Sequence, residues 1–315
     1  MKLTVLDYKT FGYDLDLKIL EEFGEVEIYD MTEDSLVEER ISDSDIVLLN
    51  KVKLTKNNLK NAKSLKLVCE FATGYDNIDI EYCRERNIAV CNVVGYSTHS
   101  VAQLTVTLAL NLMGRMREYT HYVCDGSYTT SGLHNYLDPV YHEMNGKTWG
   151  IVGCGNIGKC VKQIAEAFGL NVIVNKRTPE EGMNCVDIDT LCRTADIISI
   201  HTPLTPDTKN LINKDRIALM KKDAIVINVA RGAVADEKAL ADAIKNEQIG
   251  GVGIDVFSKE PLGEDNPLYE VRNYPNVILT PHIAWASSEA RNVCLSETVK
   301  NIKSYMNGER YNRVV

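Results

Sequence analysis

The chain has no surplus of positive charge. Its 35 lysines and arginines face 44 aspartates and glutamates, a net charge of −9. A protein that grips a nucleic-acid backbone or an acidic membrane surface carries the opposite balance, so neither is expected as a general partner. No uninterrupted apolar run reaches the length of a bilayer span, so no membrane segment is expected. The opening MKLTVLD lacks the basic stretch, apolar run and small-residue cleavage site of a secretory leader, and a cytoplasmic location is expected. Cysteine occurs nine times but never as C-x-x-C, and its scatter suits neither a disulfide framework nor a zinc site. Reduced, small apolar side chains are expected, with Cys154 the one to watch for oxidation. No metal is expected: His99, His121, His134 and His142 lack acidic or thiol partners at ligand spacing and read as surface or interface residues. Low-complexity tracts and solenoid repeats are missing too.

What is present is size and alternation. At 315 residues the chain suits two domains rather than one core. LTVLD (3–7), VEIYD (26–30), DIVLLN (45–50), KLVCEF (66–71) and IAVCNV (88–93) read as strands, with helices expected around 14–23, 32–41, 56–62 and 79–86. One long apolar helix is expected from Ser97 to Arg117, then a loop-rich, tyrosine-bearing segment, 118–146. A second alternation follows: TWGIVG, VIVN, DIISIH, AIVINV, GGVGIDV, NVILTPH. The fold class is therefore α/β, two doubly wound parallel-sheet domains, flavodoxin-like first and Rossmann second. The final segment, 286–307, has apolar residues Ala290, Val293, Cys294, Val299, Ile302 and Tyr305 at helical spacing. Its stripe needs a partner, and a return to the first domain is expected. That gives a discontinuous domain, 1–97 plus 286–315, interrupted by 98–285.

GIVGCGNIGK places Gly153-x-Gly155-x-x-Gly158 directly after a strand and directly before a helix. In that setting the three glycines suit a dinucleotide: a tight turn, close approach of the pyrophosphate, and tight helix–strand packing. The amides of Asn156 and Ile157 at the helix start would face phosphate oxygens. Three further stretches, NVARGAV (228–234), GIDVFSKEP (253–261) and TPHIAWAS (280–287), carry Arg231, Glu260 and His282 at or just beyond the ends of apolar strands. That rim is where open α/β sheets bind ligands. Taken singly, each residue has an ordinary structural explanation, an Arg–Glu pair or a hydrogen-bonded turn histidine.

In order, ATGYDNIDI, NVVGYSTHSVAQ, GKTWGIVGCGNIGK, HTPLTPDTKNLI, NVARGAV, GIDVFSKEPL and TPHIAWAS resemble segments of the D-isomer-specific 2-hydroxyacid dehydrogenase family, over nearly the whole chain. The first two and the AWAS ending look most like its glycerate dehydrogenase (hydroxypyruvate reductase) branch. The resemblance implies an NAD(P)-dependent oxidoreductase acting on a small 2-oxo or 2-hydroxy acid, with hydroxypyruvate or glyoxylate favoured. Larger 2-oxo acids, or a non-enzymatic dinucleotide-sensing corepressor, are the alternatives. It implies His282 as acid/base, Glu260 bonded to the other ring nitrogen, and Arg231 bridging substrate carboxylate and carbonyl. The amides of Thr73 and Gly74 would hold the carboxylate from the substrate-binding domain. His201, Pro203, Thr208 and Val229 fall on the cofactor side. Asp255 would either accept from the nicotinamide carboxamide or cap its own loop. The family likeness also implies a homodimer embraced through 118–146.

One position departs from the NAD-binding pattern. The strand VIVN ends at Asn175 where a ribose-binding carboxylate belongs, and Lys176, Arg177 and Thr178 follow. A carboxylate there would repel a 2′-phosphate by about 1–4 kcal/mol at about 4 Å. Its absence, with two cations beside it, favours NADP(H), with NAD(H) as the other possibility.

Overall fold

A computed structural model describes residues 1–315. The chain divides into two compact units, Met1–Ser97 with Ala286–Val315, and Thr98–Trp285. In the first, β1 (Lys2–Val5), β2 (Glu25–Ile28), β3 (Ile46–Leu49), β4 (Leu67–Glu70) and β5 (Ala89–Cys91) form one parallel sheet, ordered β2-β1-β3-β4-β5. Strands β3, β4 and β5 are buried throughout, as a sheet covered on both faces requires. The chain reverses its winding between β1 and β3. There the buried Asp7 carboxylate takes the amides of Asn50, Lys51 and Val52 and closes the sheet's carboxyl edge.

The expected first-unit helices are mostly short turns. Leu17–Phe23 is a 3-10 helix, because its apolar residues Leu17, Leu20 and Phe23 recur every three and bury on one side. The region expected helical at 32–41 is a 3-10 turn, Asp34–Leu36, followed by a four-residue helix, Val37–Arg40. The last helix, Ser288–Met306, packs on β4 and buries Ala290, Cys294, Leu295, Val299 and Ile302. Val293 was expected on that stripe but is exposed, since its neighbour Cys294 already faces the sheet.

In the second unit, β6 (Thr148–Val152), β7 (Asn171–Asn175), β8 (Ile197–Ile200), β9 (Ile225–Asn228), β10 (Gly251–Ile254) and β11 (Val277–Leu279) form a six-stranded parallel sheet, ordered β11-β10-β9-β8-β6-β7. The winding reverses between β6 and β8, so the loop leaving β6 stands at the switch point. Trp149 is fully buried in β6 and spends its indole N–H on Ser199 of β8 at 2.8 Å.

The long helix expected from Ser97 to Arg117 stops earlier. It runs Thr98–Met113, breaks at Gly114 and at Arg115 (φ 50°), and resumes as Met116–Cys124. Arg115 stabilises the break through a forked pair with Glu118. Segment 118–146 is consequently helical at its start rather than loop throughout, and Ser127–Thr130 adds a further turn. Its tyrosines also pack on one another: Tyr122 stacks on Tyr136 at 3.8 Å, and Tyr119 meets Tyr136 and Tyr141 edge-on. The most exposed apolar side chains of the segment are instead Leu133, Leu137 and Val140.

No helix is long and apolar enough to cross a membrane.

Candidate active site

The glycine loop leaves β6 and enters the helix Asn156–Ala167 with Gly155 as N-cap. Gly153 has φ +87°, and a Cβ there would lie 2.9 Å from the His201 backbone, so only glycine fits. A Cβ on Gly155 would meet nothing within 4 Å. The space over Gly155 is open, and the amides of Asn156 and Ile157, in the first turn, have no acceptor within their own helix. Open room above a helix N-terminus at the switch point suits a pyrophosphate. Gly158 is buried in that helix against the loop.

Arg231, Glu260 and His282 all belong to the second unit, on the loops leaving the three adjacent strands β9, β10 and β11. Arg231 follows β9 by three residues, and its backbone carbonyl is held by the Asn228 amide at 2.9 Å. The next residue fixes how the loops meet. A Cβ on Gly232 would sit 2.0 Å from the Phe257 carbonyl carbon and 2.2 Å from the Ser258 nitrogen, so the Arg231 and Glu260 loops touch backbone to backbone.

Glu260 divides its carboxylate. One oxygen accepts the Phe257 amide at 3.0 Å, and the other faces His282 Nδ1 at 2.7 Å. A proton on Nδ1 would satisfy that carboxylate, which leaves Nε2 as the ring nitrogen that does not face Glu260. The His282 side chain keeps about 26% of its surface exposed, enough for a reactant to reach it. Its backbone is left-handed, φ 56°, an unusual conformation for a residue with a Cβ. Asp255 holds it there. Buried completely, Asp255 accepts the Thr280 hydroxyl and the Ile283 amide on one oxygen and the Ala284 amide on the other, at 2.5, 2.9 and 2.9 Å. Burial pushes its carboxyl above the ordinary range, and those hydrogen bonds pull the other way. Of the two roles expected for Asp255, the loop cap is the one with visible partners.

His201 is no competitor for proton transfer. Its Nε2 meets Ser199 Oγ at 3.0 Å, its Nδ1 is sealed from solvent, and burial pushes the imidazole down to about 3. It is neutral throughout the physiological range. Thr208 turns its hydroxyl onto the Pro203 carbonyl at 2.7 Å and closes the loop after β8. Val229 is buried beside the end of β9.

At the end of β7, Asn175 donates to the Val186 carbonyl at 3.0 Å. Lys176 pairs with Glu180 at 3.1 Å, and Arg177 and Thr178 are exposed. Thr73 and Gly74 lie in the first unit, after β4, where the Thr73 hydroxyl donates to the Val93 carbonyl and its own carbonyl accepts from Asn92. Cys154 is buried, with its thiol pushed up by burial, so it is a poor target for oxidation; Cys124 is the exposed cysteine.

Sequence reasoning missed Glu237. It accepts the Ser258 amide at 2.6 Å and the Asn266 side chain at 2.9 Å, and so anchors the loop that carries Glu260. An acid in the first turn of a helix reads from sequence as a dipole partner, and nothing local identifies its distant loop.

Comparison with known proteins gives a consistent result. The family model described as D-isomer specific 2-hydroxyacid dehydrogenase, NAD binding domain, matches residues 106–284. A hydroxypyruvate reductase of Blautia hydrogenotrophica is 35% identical over 323 residues, covering 100% of this chain and 99% of that protein. A glycerate dehydrogenase of Methylorubrum extorquens is 37% identical over 276 residues, 88% of this chain and 87% of that one. Among solved structures, an acyclic imino acid reductase in complex with NADPH and D-arginine superposes with a TM-score of 0.87 at 31% identity, covering 100% of both chains.

Proposed function

The chain belongs to the D-isomer-specific 2-hydroxyacid dehydrogenase family, and from that premise we propose that it reduces hydroxypyruvate or glyoxylate, with NADP(H) ahead of NAD(H) and His282 as acid/base. Membership makes it a nicotinamide-dependent oxidoreductase acting on a CH–OH group. The observation that carries the finer reading is the 2.7 Å contact between Glu260 and His282 Nδ1, on loops leaving neighbouring strands. The room above Gly155 and the first-turn amides fit the coenzyme's pyrophosphate.

When bound, the nicotinamide supplies the hydride for C2 of the 2-oxo acid. The chain supplies the rest. His282 Nε2 gives its proton to the oxygen that becomes the alcohol, and Glu260 stabilises the imidazolium before transfer. Arg231 pairs its planar guanidinium with carboxylate and carbonyl, holding C2 in one orientation and polarising the bond. By family likeness, the backbone amides of Thr73 and Gly74 bind the substrate carboxylate.

Kinship leaves the coenzyme open: the matching family model is an NAD-binding domain, and the structural relative was solved with NADPH. The preference rests on Asn175 replacing an acid and on the cations after it. A panel of 2-oxo acids assayed with both coenzymes tests substrate and coenzyme together. Hydroxypyruvate or glyoxylate should give the highest kcat/KM, and a larger 2-oxo acid in first place would overturn the assignment. Asn175→Asp should lower kcat/KM for NADPH at least about fivefold more than for NADH, since a like charge near the phosphate costs about 1–4 kcal/mol. Equal losses would remove the phosphate-site reading.

The proposal includes a homodimer through 118–146. Leu133, Leu137 and Val140, each more than 60% exposed, are the apolar surface that supports it. Sedimentation should give the mass of two chains, and a single-chain mass refutes it.

A further inference from the structure

The cationic end of β7 carries an anion of its own. Glu180 Oε1 lies 3.1 Å from Lys159 Nζ, and Glu180 Oε2 lies 3.1 Å from Lys176 Nζ. The two ammonium groups come from separate places. Lys159 is on the first turn of the helix that follows the glycine loop, and Lys176 directly follows the last residue of β7. One carboxylate bridges them, as a phosphate would. The two lysines hold the Glu180 carboxyl below its usual range.

We propose that Glu180 is an internal competitor for the coenzyme's 2′-phosphate: its carboxylate takes, in the free protein, the position between Lys159 and Lys176 that the phosphate takes in the complex. The inference rests on the reading that the end of β7 receives the adenosine ribose, and it names a residue that weakens the NADPH preference there.

Three features support exchange over a fixed ion pair. Lys176 is the more enclosed cation, with 17% of its side chain exposed, whereas Glu180 keeps 44% exposed and is free to swing outward. Glu180 also sits on a turn outside any helix or strand, between Pro179 and the left-handed Gly182, so its movement breaks no ladder. The charges favour displacement: a phosphate monoester brings nearly two negative charges and three acceptor oxygens, and a carboxylate brings one charge and two. An exposed carboxylate–ammonium pair is weak enough to be given up. NAD(H), with only hydroxyls at this position, has nothing to exchange for the carboxylate and leaves the bridge intact. Asn175, tied to the Val186 carbonyl, adds no competing charge.

The test is calorimetric titration of NADPH and NADH into the wild-type protein and into Glu180→Gln, Lys176→Gln and Glu181→Gln. Glu180→Gln should tighten NADPH roughly five- to tenfold and leave NADH within about twofold, the size expected when one screened surface charge is removed. The gain should shrink as salt rises from about 20 mM to about 500 mM. Glu181→Gln should leave the ratio of the two affinities unchanged. If Glu180→Gln weakens NADH instead, the carboxylate is a ribose acceptor and the proposal fails. If it changes neither coenzyme while Lys176→Gln weakens NADPH, the phosphate site stands and the competitor role is refuted. If neither variant alters either affinity, the ribose site itself is misplaced. A wild type that prefers NADH, combined with a selective gain for NADPH in Glu180→Gln, overturns the coenzyme preference and keeps the competitor.

Discussion

His282→Asn should lower kcat/KM for reduction of the best 2-oxo acid by about a thousandfold, the scale of losing a positioned acid–base group. Asparagine is the informative replacement because the site imposes φ 56°, and asparagine tolerates the left-handed region better than most residues. The turn is then preserved while the titrating group is lost. The coenzyme dissociation constant should stay within about twofold, since the glycine loop and the Lys176 side are untouched. Glu260→Gln should act more mildly. The glutamine oxygen still accepts from Nδ1, but the negative charge that favours the imidazolium is gone. Reduction draws its proton from His282, so kcat/KM should fall, by less than in His282→Asn, and steady-state assays of the two variants side by side check the order. His282→Asn retaining more than about a tenth of wild-type kcat/KM would remove His282 from the chemistry, because such a loss is too small for an acid–base role.

The chain announces its second unit more clearly than its first. β6 to β11 were legible because each is a short apolar run bounded by turn residues, and the glycine spacing located the loop at the switch point. Glu260 and His282 were legible only through family likeness. They are 22 residues apart, and no local pattern says that a carboxylate and an imidazole will meet at 2.7 Å. The short helices of the first unit were overstated, because a three-residue apolar repeat such as Leu17, Leu20 and Phe23 is shared by 3-10 turns and α-helices. The break at Gly114 and Arg115 was not legible, because a single glycine near the end of an apolar helical run is tolerated and nothing local marks Arg115 for a left-handed backbone. Glu180 illustrates a different limit. Sequence showed two acids after two cations, but which lysines they would pair with depends on the fold bringing Lys159 beside the end of β7.

The second large effect is expected at Asp255, a residue one step removed from the proton. Asp255→Ala should destabilise the second unit by about 3–5 kcal/mol, because it strands three donors that are buried or partly buried. In a domain of this size that is a fall in Tm of about 10 °C. The Thr280 hydroxyl and the amides of Ile283 and Ala284 currently converge on its two oxygens, and an alanine offers them nothing. They also flank His282, whose left-handed backbone is unfavourable by about 1 kcal/mol or more unless its surroundings impose it. With the anchor gone the turn relaxes, the imidazole leaves its 2.7 Å contact with Glu260, and kcat falls with stability. The coenzyme provides the discriminating measurement. A residue that holds the nicotinamide carboxamide would, when replaced, weaken coenzyme binding and leave Tm nearly unchanged. A residue that holds the His282 turn does the reverse: Tm and kcat fall together while the coenzyme dissociation constant barely moves. Calorimetry and coenzyme titration on the same Asp255→Ala preparation separate the two. A weakened coenzyme with an unchanged Tm would show that the buried carboxylate serves the ligand and that the turn keeps its shape without it.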